Sequence, residues 1–152
     1  KNIQNYMSDL SIILRKVEFA DMSEVIELLQ QISKFKVPEF NKRDIWKNFS
    51  NQSNVYSLVA LVEKKIVGYG SLVIEKKIRG GKMGHIEDIV SHKNYKKKDI
   101  GKTIVNGLFE IAKKKGCYKV SLQCTEHNVS FYEKCNYLKS GVAMQRLIHL
   151  KK

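Results

Sequence analysis

The sequence predicts an α/β fold of the α+β type, with a mixed, mostly antiparallel central sheet covered by helices on both faces. The predicted elements follow one another in the order β-α-α-β-β-β-α-β-α-β, which such a sheet accounts for. With 152 residues and 43% hydrophobic content, the chain is long and apolar enough for a real core. Because no repeat, low-complexity tract or linker-like stretch interrupts the sequence, we expect a single domain over residues 1–152.

The first elements are a strand and a helix. Apolar residues within positions 11–17 indicate the strand. Asp21 precedes Glu24 by three residues, which is typical of a capping box at a helix start. Apolar residues at helical spacing then continue the helix to Phe35.

Pro38 ends that helix, and a short second helix over residues 45–49 is expected to bury Trp46 and Phe49. Residues 55–62 and 66–74 are strand-like runs, and Glu63-Lys64-Lys65 between them predicts a tight hairpin.

Residues 83–90 predict a further strand, and residues 100–115 predict a helix that Gly116 ends. One face of this helix carries Ile104, Leu108, Ile111 and Ala112. The remaining elements are a strand at 117–124, a short helix at 127–135 and a terminal strand at 142–150.

The charge of the chain indicates an anionic partner. There are 28 Lys and Arg residues against 15 Asp and Glu residues, which gives a net charge of +13. Scattered lysines such as Lys64 and Lys65 are simply solvated. The run Lys96-Lys97-Lys98 stands instead just before a helix N-terminus, where unpaired amides and the helix dipole favour a bound polyphosphate.

Cysteine and histidine spacing predicts no metal site. Cys117, Cys124 and Cys135 are interpreted as reduced, mostly buried thiols of a cytoplasmic protein. His85 lies in a predicted strand with no evident partner and is interpreted as structural. No apolar run has the length of a membrane span.

Three blocks carry a family resemblance. They are Gly84-His85-Ile86-Glu87-Asp88-Ile89, Gly116-Cys117-Tyr118-Lys119-Val120, and Asn128-Val129-Ser130-Phe131-Tyr132-Glu133-Lys134. In this order and spacing they resemble the GCN5-related N-acetyltransferase superfamily, and within it the glucosamine 6-phosphate N-acetyltransferase family. The resemblance extends from about Arg15 to Met144.

The superfamily's pyrophosphate loop reads Arg/Gln-x-x-Gly-x-Gly/Ala, and this chain departs from it. The last glycine is present as Gly101, whereas Asp99 replaces the first glycine and Lys96 replaces the leading Arg/Gln. We expect the Asp99 side chain to point away and to cap the following helix. The resemblance implies that the CoA pyrophosphate contacts Lys96, Lys97, Lys98, Asp99, Ile100, Gly101 and Lys102.

The resemblance also implies roles around the reacting groups. Tyr132 corresponds to the general acid that protonates or hydrogen-bonds the departing sulfur. Glu87 and Asp88 correspond to residues that contact the sugar hydroxyls and amine. Because they are consecutive in a strand, both can line one cleft only if the strand is bulged. The backbone of Ile89 and Val90 is implied to bind the pantetheine arm.

Four further residues have implied roles. Relatives carry an acidic residue at Gln123 whose backbone carbonyl accepts the amine proton, a role that survives the substitution. Lys119 matches a lysine that binds the sugar phosphate. Asn128 and Lys134 match positions at the cofactor. Read without the resemblance, Lys119 is a solvated edge residue and Asn128 a polar helix start.

The implied activity is transfer of an acetyl group from acetyl-CoA to the amine of glucosamine 6-phosphate, a step toward UDP-N-acetylglucosamine. Relatives are homodimers with sites built from both subunits, so Lys119 is expected to serve the neighbour's site. One alternative is the same fold acting on a protein lysine or a polyamine, which suits so basic a chain poorly. Another is a basic nucleic-acid-binding module, for which the basic clusters lack exposed aromatic residues apart from Tyr95.

Overall fold

The computed structural model describes residues 11–149, apart from the side chains of residues 96–98. The chain forms two compact units, one up to Leu122 and one from Gln123 onward. The strands of the first unit are β1 (Ile13–Lys16), β2 (Val55–Val62), β3 (Lys65–Lys76), β4 (Lys82–Ser91) and β5 (Lys119–Leu122). Its helices are α1 (Met22–Leu29), α2 (Lys42–Ser50) and α3 (Ile100–Lys114), and the second unit contains α4 (Val129–Lys134).

The five strands form one sheet in the order β1-β2-β3-β4-β5. Neighbouring strands are antiparallel except β4 and β5, which are parallel. A parallel pair needs a crossover connection, and α3 supplies it. The predicted mixed, mostly antiparallel sheet is therefore confirmed.

Helices pack on both faces of this sheet. On β3, Gly68 and Gly70 face the buried side chains of α3. Tyr69 lies between them in sequence and points to the opposite face, where it joins the core cluster containing Val25 and Leu28 of α1. The half-buried rings of Trp46 and Phe49 from α2 pack against the same cluster.

The approach of α3 to β3 is closer than a side chain on β3 would permit. A Cβ atom added to Gly68 would lie 2.5 Å from Cδ1 of Ile104 and 2.6 Å from Cγ2 of Ile100. A Cβ atom added to Gly70 would lie 2.5 Å from Cδ1 of Ile89. Ile104 is fully buried and has little room to move. The two glycines therefore fix where α3 begins relative to β4.

The sequence-derived ends of α3 and of the β2–β3 hairpin are confirmed. Gly116 has φ +83°, and its N–H donates to the carbonyl of Lys113. Glu63 (φ 49°) and Lys64 (φ 67°) are both left-handed and form a two-residue turn. Such a turn twists in the same sense as the strands it joins. Lys65 is already the first residue of β3.

Several element bounds differ from the expectations. Helix α1 ends at Leu29 rather than Phe35, because the Gln30 side chain accepts a hydrogen bond from the N–H of Phe35 and starts an irregular segment. Helix α2 is longer than predicted, and β5 is shorter than residues 117–124. Residues 142–149 contain no strand, so the predicted terminal strand is wrong over these residues, and Leu150 lies outside the described part. Apolar residues give strand propensity but do not supply a pairing partner.

Asp21 does not form the capping box predicted with Glu24. Its Oδ2 instead accepts from the backbone N–H of Glu18 at 2.8 Å. The Arg15 guanidinium donates to both carboxylate oxygens, with Nη1–Oδ2 2.6 Å and Nη2–Oδ1 2.8 Å. Arg15 and the Glu18 amide together hold the pKa of Asp21 below its ordinary 3.8, although burial opposes them. The carboxylate thus ties β1 to the start of α1.

We expect Asp21→Asn to destabilise the fold by about 1–3 kcal/mol at pH 7, because a buried charge-assisted pair is lost. The pKa of Asp21 is depressed in the folded state, so its contribution is present above the unfolded value near 3.8 and is lost as pH falls through the lower folded value. Urea unfolding of the wild type and of Asp21→Asn from pH 7 to pH 2 tests whether their free energies of unfolding become equal at low pH. Glu110→Gln on the exposed face of α3 is the control, and equal losses in the two variants would contradict the assignment.

Candidate active site

Strand β4 contains a bulge at Asp88. In the pairing with β3, Tyr69 faces Val90 and Ser71 faces Glu87, so Asp88 and Ile89 together oppose Gly70 alone. Asp88 adopts φ 56°, a left-handed conformation that aspartate tolerates better than most residues. The bulge that two consecutive acidic residues required is therefore present.

The bulge carries the two adjacent carboxylates. Glu87 is the cross-strand neighbour of Ser71, on the face that packs against α1. Burial raises the pKa of Tyr69 on that face, and the nearby charge of Asp88 raises it further. Both acidic residues are exposed. Ile89 points to the α3 face, since its Cδ1 contacts the position of a Gly70 Cβ.

Strand β4 extends past the end of its parallel neighbour β5. The pairing of β4 with β5 runs from Met83–Lys119 to Ile86–Leu122, whereas β4 continues to Ser91. The edge of β4 from Glu87 onward is thus not covered by β5. An open strand edge presents backbone N–H and C=O groups that pair readily with an extended amide-containing ligand.

The segment after β4 is a turn of 3₁₀ helix, Lys93–Lys98, that leads into α3. The Gln31 side chain holds its start: Nε2 donates to the carbonyl of Ser91 at 2.8 Å, and Oε1 accepts from the N–H of Lys93 at 3.3 Å. Sequence reasoning missed Gln31, because no local pattern marks a contact made sixty residues away.

Asp99 does not cap α3 with its side chain, so that expectation is wrong. Its backbone is left-handed, with φ 56°, and its carbonyl accepts from the N–H of Thr103 at 2.9 Å and from Oγ1 at 2.8 Å. Glycine adopts this conformation without steric cost, which is a physical reason for a glycine at this point of the loop. Asp99 therefore adds both backbone strain and a negative charge.

The start of α3 has the character of an anion site. The N–H groups of Ile100, Gly101 and Lys102 belong to the first turn, where no intrahelical acceptor exists. Helix dipole and lysine charges favour a phosphate there. The side chains of Lys96, Lys97 and Lys98 lie outside the described residues. These groups fit a pyrophosphate, apart from the carboxylate of Asp99.

In the second unit, α4 carries the predicted general acid. The Tyr132 ring contacts the rings of Phe131 and Tyr137, at centroid distances of 4.9 and 6.1 Å. Burial raises the pKa of Tyr132 to about 12, so the phenol keeps its proton at any physiological pH. Asn128 precedes the helix without a side-chain cap bond, and Lys134 is its last residue.

Tyr137 has an unusual hydroxyl. It is buried and has no hydrogen-bond partner within the described part of the chain. Burial also raises the pKa of Tyr137 to about 12. Gln123, the first residue of this unit, is exposed.

Lys119 is exposed at the first position of β5, opposite Met83. Glu87 lies four residues further along β4, which corresponds to about 13 Å of strand. Within one chain, the structure therefore does not bring Lys119 beside Glu87.

The remaining polar residues differ partly from their interpretations. His85 has a partner, since Nε2 lies 2.9 Å from Oε1 of Glu75. Cys135 is buried as expected, Cys117 is half-buried and Cys124 is exposed. In residues 11–149, no three His, Cys, Asp or Glu side chains converge as metal ligands, and no helix is long and apolar enough to cross a membrane.

Aromatic residues do accompany the lysines, contrary to the expectation from sequence. Lys115 Nζ lies 5.4 Å from the ring centroid of Tyr56, and Lys119 Nζ lies 5.7 Å from that of Tyr118. Tyr56 and Lys115 line an open groove of about 830 Å³. This finding removes the argument that ranked nucleic-acid binding last, and a salt-dependent gel shift is the measurement that tests such binding.

Comparisons with known proteins agree with the geometry. The chain is 43% identical over 123 residues to glucosamine 6-phosphate N-acetyltransferase 1 of Dictyostelium discoideum, covering 78% of each protein. It is 34% identical over 140 residues to the glucosamine 6-phosphate N-acetyltransferase of Arabidopsis thaliana, covering 88% of this chain and 94% of that protein. The crystal structure of the Arabidopsis thaliana enzyme superimposes with a TM-score of 0.84 at 34% identity, over 91% of this chain and 99% of that chain.

The sequence model of the acetyltransferase (GNAT) family matches residues 22–137, which include the bulged strand, the basic segment and α4. Strands β2 to β5, the part of β4 that extends past β5 and the helix that follows the basic segment lie within this match. The resemblance seen in the three sequence blocks is confirmed, and the chain belongs to the acetyltransferase (GNAT) family.

Proposed function

We propose that this enzyme transfers the acetyl group of acetyl-CoA to the amine of glucosamine 6-phosphate, giving N-acetylglucosamine 6-phosphate and CoA. The observation that carries the proposal is a continuous track along the chain. It runs from two carboxylates at a bulge, along an open strand edge, to a basic segment at a helix N-terminus. The relatives named above supply the sugar phosphate as the acceptor.

Acetyl-CoA, when bound, supplies an acyl group activated as a thioester. The backbone groups of Ile89 and Val90 would hold the pantetheine arm, because amides of an open strand edge pair with amides of an extended ligand. The amides of Ile100, Gly101 and Lys102, with Lys96, Lys97 and Lys98, would hold the pyrophosphate. Asn128 and Lys134 are proposed to contact the cofactor from α4.

Glu87 and Asp88 are proposed to bind the acceptor. Two exposed carboxylates at one bulge attract an ammonium group and accept hydrogen bonds from sugar hydroxyls. The attacking amine is proposed to donate a hydrogen bond to the backbone carbonyl of Gln123, and the proton that the amine loses ends on the departing thiolate. A carbonyl role is compatible with glutamine, because the side chain takes no part in it.

Tyr132 is proposed to act at the departing sulfur. Its pKa of about 12 lies well above that of an ordinary thiol, about 8.5, so complete proton transfer to a thiolate would be unfavourable. A neutral phenol still donates a hydrogen bond to the charge that develops on sulfur. We therefore assign Tyr132 hydrogen-bond donation, with the proton of the attacking amine balancing the reaction.

We further propose that residues 1–152 act as one acetyltransferase domain and that two copies form a homodimer. The family match crosses from the first unit into the second, which supports a single domain. Val142 and Met144 are 91% and 93% exposed in a segment without a strand, which supports pairing with a second chain. The separation of Lys119 from Glu87 supports binding of the substrate phosphate by the neighbour's Lys119. Sedimentation equilibrium tests the dimer.

We also propose that the protein acts in the cytoplasm and that its product is used to make UDP-N-acetylglucosamine. Cys117 and Cys124 carry free thiols, as proteins of reducing compartments do.

The competing enzyme hypothesis is acetylation of a polyamine or a protein lysine. Parallel assays of CoA release with glucosamine 6-phosphate, glucosamine, spermidine and a lysine peptide separate the two. We expect turnover to depend on the sugar phosphate. Turnover with spermidine or the peptide alone would replace the acceptor and leave the fold assignment intact.

We expect Tyr132→Phe to lower kcat about 100-fold, the lower end of the effect of removing one hydrogen-bond donor to a developing charge. Since the phenol keeps its proton until about pH 12, the wild-type kcat profile should have no descending limb from Tyr132 between pH 7 and pH 10. Tyr137→Phe is the matched control, because it removes a hydroxyl without a partner in the described chain and should leave kcat within about twofold. A limb near pH 9 that Tyr132→Phe abolishes would contradict the neutral phenol.

We expect Asp99→Gly to lower the KM for acetyl-CoA by about 3- to 10-fold, because a like charge leaves the pyrophosphate site. The same change should stabilise the fold by about 1 kcal/mol, since glycine adopts the left-handed conformation without strain. Asp99→Asn removes the charge and keeps the side chain, so it should reproduce the KM effect with a smaller gain in stability. Steady-state kinetics measures the effect of the charge on the KM for acetyl-CoA, and thermal unfolding measures the effect of the backbone strain on stability. A raised KM in both variants would show that Asp99 helps to bind acetyl-CoA.

A further inference from the structure

Gln31 connects the end of α1 to the end of β4. Its Nε2 donates to the carbonyl of Ser91 at 2.8 Å, and its Oε1 accepts from the N–H of Lys93 at 3.3 Å. Ser91 is the last residue of β4, and Lys93 is the first residue of the basic segment. One side-chain amide therefore binds the backbone on both sides of the junction between the strand and the segment that leads to α3.

The carbonyl that Gln31 binds belongs to the open edge of β4. The N–H of His92 donates to the carbonyl of Val67 at 2.7 Å, so this N–H points toward β3. A trans peptide unit points its N–H and its C=O in opposite directions, so the carbonyl of Ser91 points away from β3. On that side β5 has already ended. Gln31 thus occupies an acceptor that an extended ligand on this edge could otherwise use.

The backbone that carries Gln31 is held by the core. The N–H of Gln31 donates to the carbonyl of Leu28 at 3.0 Å. Leu28 is buried in the core cluster that also contains Val90, the residue before Ser91. Because the same core fixes the backbone at both ends of the contact, the amide can hold the junction in one place.

The neighbouring glutamine makes the same kind of contact elsewhere. Nε2 of Gln30 donates to the carbonyl of Ile26 at 3.2 Å, and its Oε1 accepts from the N–H of Phe35 at 3.1 Å. Both bonds stay within residues 26–35, whereas both bonds of Gln31 reach the junction after β4. The two side chains have the same chemistry and differ in the backbone that they hold.

We propose that Gln31 is a positioning residue for CoA. By binding the carbonyl of Ser91 it ends the open edge of β4, and by binding the N–H of Lys93 it fixes the direction in which the chain continues toward α3. A pantetheine arm on this edge would therefore turn at Ser91, where the chain itself turns toward the proposed phosphate site. The identity of the ligand rests on the proposed function, whereas the two hydrogen bonds belong to the free protein.

The test is CoA binding measured by calorimetry, which needs neither an acceptor nor turnover. Gln31→Met keeps the length of the side chain and removes both hydrogen bonds. It should raise the Kd for CoA about fivefold, the effect of one ordinary hydrogen bond. Gln30→Met is the matched control and should leave the Kd within about twofold. An equal rise in the two variants would mean that Gln31 acts only through general stability, and would overturn the proposal.

A shortened donor tests whether Gln31 aligns the strand edge with the helix start. Gln31→Met should raise the KM for acetyl-CoA about fivefold and leave kcat within about twofold, because the lost bonds lie away from the reacting groups. For acetyl-pantetheine, which has no phosphates, the KM should rise less than about twofold. An equal rise for both donors would contradict the alignment and overturn the proposal.

Amide hydrogen exchange of the free protein tests the contacts themselves. At matched global stability, Gln31→Met should speed exchange at Lys93 about threefold and leave Phe35 unchanged, and Gln30→Met should do the reverse. Unchanged exchange at Lys93 in Gln31→Met would overturn the role of Gln31. If the wild type binds no CoA, the proposed function is wrong and this inference falls with it. If the wild type and Gln31→Met bind CoA equally well, the inference alone is wrong.

Discussion

The close packing of α3 on the glycines of β3 is the constraint on which the rest of the candidate site depends. Gly68 and Gly70 have no side chains, so Ile100 and Ile104 reach the backbone of the sheet. This contact sets the height of the α3 N-terminus above β4. Gly70 is also the single residue that opposes the bulge. The same stretch of β3 is therefore opposite both the helix start where phosphates would be held and the bulge that carries the two carboxylates.

The charged and the neutral polar groups of the candidate site differ in their exposure to water. The carboxylates of Glu87 and Asp88 are at the surface, where water stabilises them until a ligand replaces it. Tyr69 is buried and Tyr132 and Tyr137 are half-buried, and burial raises the pKa of each phenol. The exposed groups are therefore suited to attract ligands, whereas the phenols are suited to donate hydrogen bonds without ionising.

Local patterns predicted much of the fold and part of the site. The turn at Glu63 and Lys64, the end of α3 at Gly116 and the bulge implied by Glu87 and Asp88 each depend on residues adjacent in sequence. The failures involve partners distant in sequence. Asp21 has the spacing of a capping box with Glu24, but its carboxylate binds Arg15 of the preceding strand.

Two further features show the same limit. The apolar residues from 142 onward predicted a strand, but the described part of the chain gives them no strand to pair with. The hydrogen bond between the hydroxyls of Ser57 and Ser71 could not be predicted from the sequence. Both look like ordinary small residues in apolar strands, and only the register brings them together. The family resemblance supplied roles for the site residues, and physical reasoning from the sequence alone reached only an anion-binding helix start and a tyrosine.

The open edge of β4 and the start of α3 have a consequence for how such an enzyme would respond to its surroundings. On the proposed function, these elements hold the pantetheine arm and the phosphates, and both are shared by acetylated and spent CoA. The same contacts would bind the product CoA almost as tightly as acetyl-CoA, so the two would compete for the same binding site. The rate would then follow the ratio of acetyl-CoA to free CoA more closely than the concentration of either. Amino-sugar synthesis would therefore rise and fall with that ratio in the cell.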